Sequence, residues 1–98
     1  MVNDKAAGEV DLEAVNKLVA ALVREVEKLR GDSPDIRRLR DELQTLRSVL
    51  DSPLQRQHRV RDGLHGIREA MARALDEMVV DGLKGGQYLA EIGRLLGL

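Results

Sequence analysis

The stretch Asp11–Asp51, DLEAVNKLVAALVREVEKLRGDSPDIRRLRDELQTLRSVLD, decides the fold. It carries two apolar stripes. The first is Leu12, Val15, Val19, Leu22, Val26 and Leu29; the second is Ile36, Leu39, Leu43, Leu46 and Leu50. Both advance in alternating steps of three and four, which sets every member on one side of an α-helix. Only Gly31-Asp32-Ser33 separates them, and so short a connector folds two helices into an antiparallel hairpin.

The ends of the stripes carry matching signals. Asp11 is an N-cap type, and Val10 and Val15 hold the positions of a hydrophobic staple around it. Glu13 suits the positive end of the helix dipole. Gly31 is expected to leave the first helix through the left-handed region. Ser33 caps the second helix, with Pro34 at its first position. Arg37–Asp41 and Arg38–Glu42 are spaced as i, i+4 pairs on its outer side.

Outward from the hairpin, Met1–Val10 lacks periodicity and is expected to be a flexible tail. Ser52-Pro53 repeats the Ser-Pro device, and Leu54–Asp62 is either the exposed start of a third helix or a loop crossing to it. From Val60 the period returns through Leu64, Ile67, Met71, Ala74 and Met78. Gly63 and Gly66 interrupt it and mark a kink or a close helix approach. Gly82, Gly85 and Gly86 are expected to end this helix. Tyr88, Leu89, Ile92, Leu95 and Leu96 then form one face of a short helix that is stable only when docked. The expected architecture is all-α: a helical bundle built on an antiparallel αα-hairpin, with a long third helix and a short C-terminal one. Its helices span about 11–30, 34–51, 57–81 and 87–97 within a single domain, 11–98.

Composition bounds what this bundle does. The chain has 98 residues, enough for one domain. It has no Phe, no Trp and one Tyr, so its core is aliphatic and must be extensive or shared. Leu18, Val23 and Val49 flank the stripes and widen the apolar face beyond what a hairpin covers. Both features predict a homo-oligomer, a dimer first. There is no cysteine, hence no disulfide, thiolate nucleophile or thiolate metal ligand, which fits a reducing compartment. Met1–Glu9 lacks the apolar region of a signal peptide, and no apolar run approaches the roughly 18–20 residues that span a bilayer. A cytoplasmic protein is expected, with no membrane partner.

Little in the chain carries chemistry. His58, Asp62, His65 and Glu69 step by four, three and four, as metal ligands on a bundle helix do. At about 100° per residue they point away from the Val60–Met78 stripe, so they read as a solvated face and no metal ligand is assigned. Ser33 and Ser52 are taken by capping, and the glycines match neither phosphate-binding spacing. No catalytic residue and no cofactor follow. Arg56, Arg59, Arg61 and Arg68, beside the two histidines, offer phosphate contacts along the third helix. Against nucleic acid stand a net charge of −1 and the absence of an aromatic stacking platform.

The heptad hairpin, the Ser-Pro break, the polar-faced helix and the ending Leu89-Ala90-Glu91-Ile92-Gly93-Arg94-Leu95-Leu96-Gly97-Leu98 together resemble a family of small uncharacterised proteobacterial all-helical proteins, a domain of unknown function. The likeness covers most of the chain after Asp11. It implies a bacterial, soluble, all-helical protein and transfers no functional residue.

The sequence therefore points to a non-enzymatic structural or protein-interaction module. Its anchors would be the two stripes, Leu12 to Leu29 and Ile36 to Leu50, working through apolar helix faces as a homo-oligomer or with a protein partner. A small nucleic-acid-associated regulator using the arginine strip is the alternative.

Overall fold

The computed structural model describes residues 10–54 and 57–98. Four helices follow in order: α1 (Leu12–Glu27), α2 (Pro34–Asp51), α3 (Gln57–Val80) and α4 (Gly85–Leu96). Each packs on its neighbours around a ring, α1 on α2, α2 on α3, α3 on α4 and α4 on α1, while the diagonal pairs do not approach. Glu27 shares a cleft with Arg40, and Asn16 shares one with Asp51, so α1 and α2 are antiparallel. Ser33 reaches Glu77 and Gly63 lies under Leu46, which sets α3 antiparallel to α2. Gly85 abuts Leu75 and Met78, which turns α4 back along α3. The result is an up-down-up-down four-helix bundle.

The caps anticipated for the hairpin form. The Asp11 carboxylate accepts from the backbone N–H of Glu13 and Ala14 at 3.1 and 3.2 Å. Ser33 Oγ accepts from Ile36 N at 3.2 Å, with Pro34 opening α2. Other expectations are corrected. Gly31 does not take a left-handed φ; α1 ends at Glu27, its cap Lys28 is right-handed, and Lys28–Ser33 forms a longer link. That link is held from outside, because Asp81 accepts from Arg30 N at 3.0 Å and Ser33 Oγ donates to Glu77. Arg37 turns to Asp32 rather than Asp41, with Nε 3.7 Å from its carboxylate, whereas Arg38 does pair with Glu42. Ser52 caps the end of α2 instead of opening α3. Val10 is not tail but core: it is buried, and its N–H donates to the Gln57 side chain at 2.8 Å. The rest of the expected tail lies outside the described residues.

Among the glycines expected to end α3, only Gly82 does so. Its φ of +81° begins a Schellman turn, in which Leu83 N donates to Met78 O at 2.8 Å and Gly82 N to Val79 O at 3.0 Å. Gly85 and Gly86 open α4.

The core runs through all four helices and contains only Val, Leu, Ile, Ala and Met among the described residues, with no buried polar or charged group. Every stripe residue from Val15 to Leu50 is buried, and Leu12 is half-buried. The cover that the hairpin requires therefore comes from α3 and α4 of the same chain. An aliphatic core suffices because it is long rather than thick.

Gly63 resolves the choice between kink and close approach. A Cβ there would sit 2.8 Å from Leu46 Cδ1 and 3.2 Å from its Cβ. The side chain is missing because α2 fills the space. Gly93, at the start of the last turn of α4, faces nothing within 4 Å. Alanine at these two helical positions should act in opposite directions. Gly93→Ala raises stability by about 0.5–1 kcal/mol through helix propensity. Gly63→Ala lowers it by about 1–3 kcal/mol, because Leu46 is buried and cannot yield without strain. Urea denaturation checks both, and equal signs would contradict this packing.

Candidate interaction surface

Most of the residues expected to meet a partner are buried, and only the edges of a few of them border an outer surface. Val15, Val19, Leu22, Val26, Leu29, Ile36, Leu39, Leu43, Leu46 and Leu50 lie in the chain's own core, and of these Val19, Val26, Leu43 and Leu50 border the α1–α2 seam. Leu12 packs against the core margin. What they leave outside is set by how the helices are spaced around the ring.

At the α2–α3 seam the helices are drawn together over Gly63 and Gly66. The Cβ missing from Gly66 is replaced by the Glu42 carboxylate. The α1–α2 seam has no such glycines, and these helices pack less closely. A furrow opens along it. Its upper part, about 250 Å³, is bounded by Val23, Val26, Leu43, Arg40 and Arg47. It continues past Ala20, Val19, Arg24 and Leu50 as a hollow of about 410 Å³. The upper part has an aliphatic floor, and the hollow below it is mixed, with Asn16, Glu27 and Asp51 beside its valines and leucine. The rims carry arginines.

The rim is built by helical spacing. Arg40, Gln44, Arg47 and Asp51 recur along α2 by four, three and four, one flank away from the core stripe. Ala20, Val23, Arg24 and Glu27 form the matching flank of α1. Arg40 is engaged: it donates to Leu29 O at 3.3 Å and lies 3.6 Å from the Asp32 carboxylate. Arg24 and Arg47 are exposed and pair with no carboxylate among the described residues. Glu27 and Asp51 stand toward the two ends. The furrow thus has two guanidinium groups without an ion-pair partner among the described residues, and an acid one helical turn beyond each, Glu27 and Asp51.

The arginine strip expected on α3 is not one surface. Arg59 faces α2, lining a hollow with Glu42, Thr45 and Val49. Arg68 lies on the opposite flank, with Leu89 and Ala90 of α4. Arg61 is half-buried and already has a partner. Arg56 lies outside the described residues. His58, Asp62, His65 and Glu69 are exposed along the outer side of α3, and no group of three metal-ligating side chains gathers among the described residues. No helix among them is long and apolar enough to cross a membrane.

Comparison with protein-family models, with curated proteins and with solved structures returns no match.

One electrostatic feature concerns the seam that closes the ring. Tyr88 of α4 is half-buried against α1, and burial, aided by the nearby Glu25 carboxylate, pushes its phenol above the ordinary value. Lys28, hydrogen-bonded to Glu25 at 2.8 Å, is held above the ordinary lysine value by that bond. A raised folded-state pKa means that the unfolded chain loses its proton first. Stability from Tyr88 is therefore complete below about pH 10, the ordinary phenol value, and declines as pH rises beyond it. Tyr88 is the only aromatic residue, so ultraviolet titration of the phenolate reads this site alone. The expected midpoint lies above that of the urea-unfolded chain; an equal or lower one would contradict the docking of α4 on α1.

Proposed function

We propose that this chain is a cytoplasmic, non-enzymatic protein-interaction module that meets its partner through the outer furrow between α1 and α2. The observation that carries the reading is the pairing of apolar surface, the exposed Ala20 and the half-buried Val23, with Arg24 and Arg47, which have no ion-pair partner among the described residues, on a bundle whose core is already filled. Interfaces favour arginine beside apolar floor, because a planar guanidinium both stacks and makes bidentate contacts. The cysteine-free composition suits a reducing compartment. A photo-crosslinking residue placed at Ala20 in the producing cell should give one discrete adduct, while the same residue at Asp62, on the polar side of α3, gives none. Indistinguishable patterns from the two positions would sink the reading.

Self-association is a second reading, and it draws on a different place. Val79 and Val80 are 60% and 83% exposed at the end of α3, the most open pair of adjacent apolar residues among those described. A homodimer formed there would hide them. Sedimentation equilibrium is expected to show a dimer that the exchange Val79→Ser with Val80→Ser weakens by about tenfold, the loss of roughly 1.4 kcal/mol of burial. A wild-type monomer at all concentrations would remove this reading and leave the furrow untouched.

A further inference from the structure

We infer that the partner seated in the α1–α2 furrow is an amphipathic helix with acidic residues at its middle. This rests on the reading of the furrow as the interaction surface and goes beyond it by naming what fits.

Shape selects a helix. The furrow follows two antiparallel helices from Asn16 to Glu27 on the α1 side, about 17 Å at a rise of about 1.5 Å per residue. That is about three turns of a helix. A third helix laid over two neighbours places one apolar stripe on their shared floor, the helix-in-groove mode of recognition. Ala20 and Val23 would take its apolar side chains. The floor is aliphatic in its upper part, between Val23, Val26 and Leu43, and a small anion would leave that part uncovered.

Charge selects the sign. Arg24 and Arg47 lie on opposite rims of the same hollow and neither has a carboxylate partner among the described residues. An incoming helix with Asp or Glu on both sides of its apolar stripe meets one guanidinium on each rim. Glu27 and Asp51 repel acids near the two ends. Hence the acids belong at the middle of the partner, with neutral or basic residues at its ends.

The same charges argue against a second copy in this place. Two furrows facing each other about a twofold axis level with the arginines, the arrangement that overlaps their hollows most fully, would set Arg24 and Arg47 against each other's counterparts. Like charges meeting across an interface oppose association and suppress wrong partners. The acidic character has to come from another sequence.

The test is a displayed library of helical peptides with a constant Leu stripe and randomised flanking positions, selected on the intact chain. Asp and Glu are expected to be enriched at central flanking positions. A synthetic peptide of the selected sequence, followed by fluorescence anisotropy, should bind the Arg24→Glu, Arg47→Glu double variant at least about tenfold more weakly, and should bind the Arg24→Lys, Arg47→Lys variant with a smaller loss. Neither arginine holds a structural partner, so thermal melting by circular dichroism should show both variants folded. Neutral or basic enrichment overturns the inference, as does failure to select any binder. Acidic binders indifferent to the charge reversal, and to Val23→Asp, would overturn it while leaving an interaction module that works through another surface. A change in sedimentation of the chain alone on charge reversal would assign the furrow to a second copy and overturn it as well.

Discussion

The close contact of α3 with α2 at Gly63 is the constraint on which the rest of the bundle depends. A glycine in the middle of a helix lowers helix propensity by about 1 kcal/mol relative to alanine. Here it removes the one atom that would keep the buried Leu46 side chain away. The helices approach, and Leu46, Leu64 and Ile67 become fully buried without any aromatic side chain in the core. For a chain this poor in large side chains, short distance between helices substitutes for side-chain bulk.

That close seam has a consequence on the other side of α2. The α2 helix has one flank committed to α3, through Glu42, Thr45 and Val49, and another turned toward α1, through Arg40, Gln44 and Arg47. The first seam has glycines and closes. The second has no glycine to let the helices approach, so a furrow remains between them. The ends of this open seam are still secured. Ser33 Oγ caps α2 while donating to Glu77, and Asp81 holds the backbone of the α1–α2 link. Val10 and Gln57 join the other end. The helices that border the furrow are thus tied to α3 near both of its ends.

Most of the helices were legible from periodicity. The stripes of α1 and α2 became buried as their spacing required, and Asp11 and Ser33 cap as their side chains allow. The errors share a cause. Gly31 looked like a C-terminal stop because it follows a basic turn, yet the chain leaves the helix earlier: Leu29 is drawn into the core, and Arg30 N finds an acceptor at Asp81, remote in sequence. Ser52-Pro53 looked like a second start and instead closes α2. Both are places where a contact between distant residues outweighs a local preference. The candidate surface was less legible. The arginines of α3 stood out by number, whereas those of the furrow were visible only as a spacing, Arg40 and Arg47 on one flank of α2 and Arg24 beside Val23 on α1. The signal was present, but nothing local tells which flank a neighbouring helix will cover.

The sequence alone determined the number and polarity of the helices, their apolar faces, two caps and a composition without Phe, Trp or Cys. These follow from period, side-chain volume and functional-group type, all of which are local. The tertiary structure alone decided that α3 and α4 complete the core around the hairpin, that Gly63 is a contact rather than a kink, and that a furrow runs along the α1–α2 seam. Each depends on the distance between helix axes. That distance is set by the side chains of both helices together, and one helix read by itself does not contain it.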